Sequence, residues 1–527
     1  MDPVIIVGAG PVGLALALSL AAQSVPCVVL DEGPGKDEQR PARTVVLRED
    51  TADLALRLSG TALDGLAVRW TGWRAVRRRQ DVERVDYSTS PAPLHLPQHT
   101  LTTALREAAQ GQRLIKIVTE SKLDSFEQDA DGVTAHTAGP DGTWWRGSHL
   151  IGCDGARSTV RKLLDVRFPG RTGVERHAVA ALRAELPWPG QALLHRQPPW
   201  RGAPGEVSAR PMGDGAWRLD WLLPPRGELV TPDVLVARVR DTLAGWCGGT
   251  TPPYELLDTG VHTVHHRLAR RWRVKRAFLA GDAAHLLGAL GTQGVDEGLR
   301  DAENLAWKLA FVWHGEAPRT LLDSYETERR TAVAARLRAA DQALPILRGG
   351  VGLRSVVPGG TRAGDTLLAD AHVGRGPLGA PPVYIHTPLL PDVQASEIDI
   401  GTATGAPVAD VRVTAPDGET VWLRDRLGRG RLLVVLVAPG TGVWDRRHWL
   451  SAGVMPRLAA AVAALPTRAE LLVTEGYPEA PAHSVLVVRP DGHLVAALGG
   501  VRPAELHACA EAVRGGATVC DPTAQRV

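Results

Sequence analysis

The sequence predicts an α/β chain of several domains, opening on a layer of parallel strands. Three observations predict it. Short β-branched runs lead into glycine-rich turns and then into helical stretches. Three such turns, around residues 8, 154 and 282, each follow a strand although they lie far apart in the chain. Blocks of sheet-type alternation separate these stretches, and a further α/β block follows them. At 527 residues, about two to four domains are expected.

Composition narrows the class. A hydrophobic content of 44% argues for a packed chain rather than a disordered one. A formal net charge of +2 gives no case for nucleic acid or an anionic membrane as partner. The basic residues are nearly all Arg and are spread over the whole chain, which reads as a coding bias. Cys27, Cys153, Cys247, Cys509 and Cys520 show no CxxC spacing. Neither a disulfide framework nor a zinc site is expected, and a reducing cytoplasm is the expected compartment. No run of 18 apolar residues occurs, so no membrane span is expected. The apolar run Val4–Val7 follows Asp2 without a basic flank and does not read as a signal peptide.

The first element is the strand Val4–Val7, β-branched as a strand buried on both faces requires. Gly8, Gly10 and Gly13 follow as GxGxxG, then a helix over 14–22 and a second strand, 27–30, ending in Asp31 and Glu32. Gly8 permits the tight turn, Gly10 lets a pyrophosphate approach the backbone, and Gly13 lets helix and strand pack closely. The helix N-terminus faces the phosphates, and Asp31 accepts ribose hydroxyls. A bare GxGxxG is weak, but here strand, helix, second strand and acid all fall in place. An acidic end to the second strand suits FAD or NAD, and this stretch does not choose between them.

The next elements follow in order. The second half of 43–66 is expected to be helical, and 100–109 is a helix with Gln98 just before it. Strands with turns at Asp131-Gly132 and Asp141-Gly142 lead to a strand over 148–152, which runs into Cys153-Asp154-Gly155. Residues 170–275 are rich in Trp, Pro and alternating patterns and read as a sheet-based domain, with "DGAWRLDWLLPP" the clearest strand. The strand 277–280 returns to the first domain and delivers Gly281-Asp282. A long helical run follows, then a Gly/Pro/Ala-rich linker. From about 405 come strands in "RLLVVLVAPG" and "HSVLVVRPDGHLVAAL", with a helix over 455–464. The three glycine turns each put backbone amides or a carboxylate at a strand's C-terminal end, where open α/β sheets bind ligands. One dinucleotide could satisfy all three.

"VIIVGAGPVGLALALSLA", "LIGCDGARSTVRKLL" and "RAFLAGDAAHLLGALGTQGVDEGLRDAENLAWKLA", with "SYETERR" after it, resemble the group A flavoprotein aromatic monooxygenases of the para-hydroxybenzoate hydroxylase fold. The resemblance covers about residues 1–345, and the part beyond 405 is similar to the thioredoxin-like domain of larger members. It implies a Rossmann-like FAD-binding domain from 1–170 and 276–345, a sheet-based substrate domain at 171–275, a linker at 346–404, and a thioredoxin-like domain at 405–527 that lacks CxxC. It implies non-covalent FAD, NADH or NADPH as reductant, and O2. One oxygen would reach an aromatic or polyketide-like small molecule through a flavin C4a-(hydro)peroxide, by hydroxylation or Baeyer–Villiger insertion. A monomer or homodimer is expected.

The resemblance also assigns roles. Gly8, Gly10 and Gly13 would bind the pyrophosphate and Asp31 the adenosine ribose. Arg43 and Gln98 match family residues near the flavin. Asp154 belongs to the DG motif linked to FAD and NAD(P)H. Gly281-Asp282 is the GD motif that holds the ribityl chain. Gly294 and Val295 would lend amides to the pyrimidine edge, which becomes negative on reduction. Asp296 stands at the Asn that closes the family loop. No catalytic side chain is identified, because the flavin carries the chemistry, and no metal is expected.

The family loop usually carries a proline pair, then Gly-Gly-Gln-Gly-x-Asn. Here Gly288-Ala289, Gly291-Thr292 and Asp296 replace these features. Gly288 removes a φ restraint beside the oxygen site. Asp296 would oppose flavin reduction unless it points away or is protonated. These changes keep open a flavin oxidase or dehydrogenase. A halogenase lacks its WxWxIP motif here, and a non-catalytic FAD-binding accessory protein is the third reading. His285 reads as packing more than acid–base, and His99 as surface at least as much as site. His262, His265 and His266 lack an acid or Cys at ligand spacing. Trp70, Trp73, Trp217 and Trp221 are either an aromatic substrate pocket or core.

Overall fold

A computed structural model of the protein describes all residues except 37, 139–141, 201–204, 224–229, 289–293, 349–359, 392–396, 441–452 and 517–527. Cys520, Ala289, Gly291 and Thr292 therefore lie outside the described residues, as does Asp141 of the second expected turn.

Val4–Val7 sits inside a six-stranded sheet. It pairs in parallel with Cys27–Leu30 on one side and with His149–Gly152 on the other. Ala277–Leu279 pairs in parallel with His149–Gly152, and Ile115–Val118 with Cys27–Leu30. The three glycine turns thus leave the C-terminal ends of three neighbouring strands. Val4–Val7 and Cys27–Leu30 are buried throughout, which is why they read as unbroken apolar runs rather than alternating ones. Helix Pro11–Ala21 starts with Pro at its first turn and is buried almost end to end. It packs beside helix Gly294–Trp313, where a Cβ added at Gly298 would lie 2.5 Å from Val12 Cγ2.

The second sheet has eight strands. Its centre is Gly170–Ala184 between Tyr254–Leu268 and Ala216–Leu223, followed by Glu206–Pro211 and Gln191–Arg196. Two earlier strands, Gly72–Arg77 and Gln80–Asp86, complete one edge. One face is apolar. Trp217, Leu219, Trp221 and Leu223 alternate inward there and pack with Leu235, Val239 and Leu243 of helix Pro232–Trp246. The opposite face carries the intervening residues, among them Arg218 and Asp220.

The C-terminal part forms a six-stranded sheet around the fully buried Leu432–Val437, flanked by helices Met455–Ala463 and Pro503–Val513. It meets the first domain through buried charges. Arg489 donates two hydrogen bonds to Glu328, at 2.6 and 2.9 Å, and Asp491 accepts from Asn304 and Trp307. Residues 360–373, expected as linker, form helix Gly360–Val373, whose Leu368, Ala369 and Ala371 pack with Trp73 and Ala75.

Candidate functional site

The three turns enclose a cavity of about 310 Å³ lined by Gly8, Gly10, Asp31, Arg43, Gln98, Asp154, Asp282, Gly294 and Val295, among others. Its glycines do different work. Gly8 has φ +101°, and a Cβ there would lie 2.5 Å from the Cys153 carbonyl oxygen. A Cβ on Gly13 would lie 2.0 Å from the Gly8 carbonyl oxygen. Both are closed by protein. Gly10 lines the cavity, and a Cβ there would meet nothing within 4 Å. It begins helix Pro11–Ala21, whose free N–H groups and positive dipole end open on the same space.

Among the carboxylates lining this space, Asp31, Asp154 and Asp282 have spare acceptor capacity. Among the described residues Asp31 has only a distant guanidinium, Arg106 at 3.8 Å. Asp154 Oδ2 accepts from the Val160 N–H at 3.0 Å, while its Oδ1 is buried with no hydrogen-bond partner among the described residues. Burial raises the Asp154 pKa above the usual carboxylate range. Asp282 makes no hydrogen bond among the described residues. Burial raises its pKa too, against the pull of His285 and Arg43. Unsatisfied buried acceptors need a donor, and sugar hydroxyls supply donors at this spacing of sites. The open Gly10 and these acceptors fit a dinucleotide.

A second cavity, of about 600 Å³, lies between this site and the charged face of the eight-stranded sheet. Arg43, Gln98, Asp282, Gly294 and Val295 line both cavities and so mark where they join. Gln98 and Gly294 each open a helix there, and the Gln98 N–H donates to the Arg43 carbonyl at 2.8 Å. Gly288 also lines the second cavity.

Gly13, Gly281 and Asp296 line neither cavity. Gly281 has φ +59°, and its N–H is held at 2.9 Å by Asp301. The Asp296 carboxylate is turned away from the junction. It accepts from the Arg48 N–H at 3.1 Å and from the Thr51 hydroxyl, and it lies 3.4 Å from Arg300. Burial raises its pKa, and Arg300 opposes that rise. Its charge therefore belongs to the tether between two helices.

Several residues escaped the sequence reading. Asp301 accepts from the Gly281 N–H, from His285 Nε2 at 2.7 Å and from Arg329 Nε at 2.8 Å, and so fixes the Gly281-Asp282 turn from below. His285 is fully buried and stacks on Trp272, a packing role. Glu297, Asp301, Asn304 and Lys308 are all buried on helix Gly294–Trp313. Their helical spacing, facing "ETERR", was the available signal. The wall of the second cavity carries His177, Glu206, Ser208, Arg210, Arg218 and Asp220. Trp70, Trp73, Trp217 and Trp221 do not line it and belong to apolar clusters. His262 does line it. With His177 and Asp220 it brings three possible ligand atoms within 4.8 Å, from strands far apart in sequence.

Comparison with known proteins fits this geometry. A family model described as FAD binding domain matches residues 1–340. Rifampicin monooxygenase of Streptomyces venezuelae is 35% identical over 367 residues, covering 68% of this chain and 73% of that protein. Dialkyldecalin synthase of Streptomyces rugosporus is 30% identical over 465 residues, covering 85% of this chain and 89% of that protein. The solved structure of the flavin-dependent monooxygenase PieE with FAD and substrate aligns with a TM-score of 0.76 at 22% identity, over 98% of this chain and 99% of that one, and shares the fold. Among the described residues no helix is long and apolar enough to cross a membrane. The chain belongs to the FAD-binding domain family and is an FAD-dependent monooxygenase, with the NAD(P)H reductant typical of that family.

Proposed function

We propose that the enzyme transfers one oxygen atom from O2 to an electron-rich polycyclic aromatic or polyketide-like substrate held in the second cavity. The observation that carries this is the junction: Arg43, Gln98, Asp282, Gly294 and Val295 line both cavities, so the reactive end of a dinucleotide in the first meets a ligand in the second. FAD held there would supply hydride acceptance from NAD(P)H and activation of dioxygen. The chain's own residues place it. Gly10 and the helix behind it take the pyrophosphate, Asp31 the adenosine ribose and Asp282 the ribityl hydroxyls. Asp154 keeps one oxygen free at the same cavity. The amides of Gly294 and Val295, at a helix N-terminus, stabilise negative charge on the ring edge they face. The sheet wall forms one side of the chamber beside the reacting end.

The test is an incubation of holoenzyme, NADPH or NADH, and isotope-labelled dioxygen with a panel of polycyclic phenols. One labelled oxygen atom in a product, with coupled NAD(P)H consumption, is the expected result. NAD(P)H consumption that yields only hydrogen peroxide with every substrate would count against it. A second reading rests on one observation. The dialkyldecalin synthase match spans more of this chain than the rifampicin monooxygenase match does. In that reading the second cavity shapes a ring closure beside FAD, and product forms without NAD(P)H or O2.

A further inference from the structure

We infer that the second cavity takes its substrate by an ionised oxygen, a phenolate, an enolate or a carboxylate, held by the Arg210 guanidinium and the His177 ring. This rests on the reading of that cavity as the substrate chamber.

On a single sheet face of this cavity one guanidinium is left without a counter-ion among the described residues. Arg210, Arg218, Asp220 and His177 come from three adjacent strands and all line the cavity. Arg218 lies 3.0 Å from Asp220, and His177 Nδ1 lies 2.6 Å from the same carboxylate. Glu206, on the same face, lies 3.8 Å from Arg196. One carboxylate therefore serves two basic side chains. Arg210 has no hydrogen bond or ion pair among the described residues, and its direct cross-strand neighbour is Arg218. Burial and Arg218 lower its pKa to about 10, which leaves it charged at neutral pH. For His177, burial is outweighed by Asp220, so its pKa is raised.

A half-buried guanidinium facing a cavity without a partner is unfavourable until an anion arrives. The same balance argues against a metal ion at His177, Asp220 and His262. Asp220, the one carboxylate of that trio, is already engaged twice, by Arg218 and by His177. His177 uses Nδ1 on Asp220 and makes no other hydrogen bond among the described residues, so Nε2 is the ring nitrogen left for a ligand.

The two sources of an ionised oxygen differ in proton count. A phenolic or enolic hydroxyl loses its proton to bulk water on binding, whereas a carboxylic acid arrives ionised at neutral pH. No redox step is involved in either case.

The experiment titrates FAD-loaded enzyme at pH 7 with 2-naphthol, 2-naphthoate and 2-methoxynaphthalene. The flavin visible band reports binding beside the flavin, the naphtholate absorbance reports ionisation, and equilibrium dialysis reports binding anywhere. At least one acidic probe is expected to bind roughly tenfold or more tightly than the ether. Naphthol bound as its anion identifies a hydroxyl substrate, and preference for naphthoate alone identifies a carboxylate. Arg210→Met should abolish the preference while leaving ether binding unchanged, and Arg210→Lys should restore part of it. Retained FAD and an unchanged urea midpoint show that these variants are folded. Equal binding of ether and acids with a moving flavin band overturns the inference and leaves the chamber reading standing. So does an acid preference that survives Arg210→Met. Binding of the ether alone with a moving flavin band overturns the inference only, and acid binding by dialysis with a still flavin band, or no binding of any probe, overturns both.

Discussion

The two cavities are built by opposite means. The first is made of backbone and turn residues at the ends of three parallel strands, and its open positions are set by where a Cβ is missing. The second is made of long charged side chains on one face of an antiparallel sheet. The first therefore constrains residue type tightly and suits one ligand. The second constrains only a balance of charge and shape, and its ligand can change with few substitutions. Shared cofactor and divergent substrate among relatives are the expected consequence of that division.

The sharpest way to break this comparison is within the first cavity. Gly13→Ala puts a methyl 2.0 Å from the Gly8 carbonyl oxygen, and neither the helix nor the strand can yield cheaply. Loss of bound FAD and a destabilisation of roughly 3 kcal/mol or more are expected, read from the visible spectrum and a urea denaturation curve. Gly10→Ala has room within the protein. Its apoprotein should unfold at the unchanged urea midpoint while FAD binds more weakly. Equal effects at the two positions would remove the distinction between a packing glycine and a ligand glycine.

The buried support under the Gly281-Asp282 turn comes next. Asp301→Asn removes the charge that holds His285, Arg329 and the Gly281 N–H together. Leaving Arg329 with one fewer buried partner should cost about 3–5 kcal/mol, measurable by the same denaturation curve. Asp282→Ala, one residue away in the turn but facing the cavity, should leave apoprotein stability unchanged or slightly raised. It should weaken FAD binding roughly tenfold.

Acid sensitivity separates the core from both cavities. Burial lowers the pKa of His95 and of His149 to about 3, from an ordinary 6.5. Both are neutral in the fold, and the unfolded chain binds their protons first. Stability is thus fully present above pH 6.5 and is lost as pH falls toward 3, at up to about 1.4 kcal/mol per pH unit per group. Below pH 4.5 the depressed carboxylates Glu297 and Glu328 add to the loss. Urea midpoints at pH 7.5 and pH 5.5 check the sign. A midpoint that rises on acidification would contradict it.

What was legible in the sequence follows the same division. Val4–Val7 and Cys27–Leu30 were readable to the residue because a parallel strand buried on both faces is a continuous apolar run ended by a turn. Gly8, Gly10, Asp154 and Asp282 were readable because each stands beside the strand end that positions it. The wall of the second cavity was not. His177 and Asp220 meet although they lie 43 positions apart in the chain, and no local spacing encodes that pairing. The alternation in "WRLDWLL" showed one apolar and one charged face, but it did not show that the charged face lines a cavity. Of the two readings open for Trp70, Trp73, Trp217 and Trp221, pocket or core, the structure has the core one.

Asp296 is the smallest and most discriminating case. As an acid beside an electron-accepting ring it would disfavour reduction, but its carboxylate instead ties Arg48 and Thr51 to helix Gly294–Trp313. Asp296→Asn keeps a hydrogen-bond acceptor and removes a buried charge that Arg300 shares with Asp50 and Glu297. Its cost should be about 1 kcal/mol, and the reduction potential of bound FAD should stay where it is in the parent enzyme. A potential that rises by roughly 30 mV or more, about 1.4 kcal/mol for two electrons, would mean the charge is felt at the ring. The tether would then also tune the flavin, and the two cavities would be coupled through the helix they share.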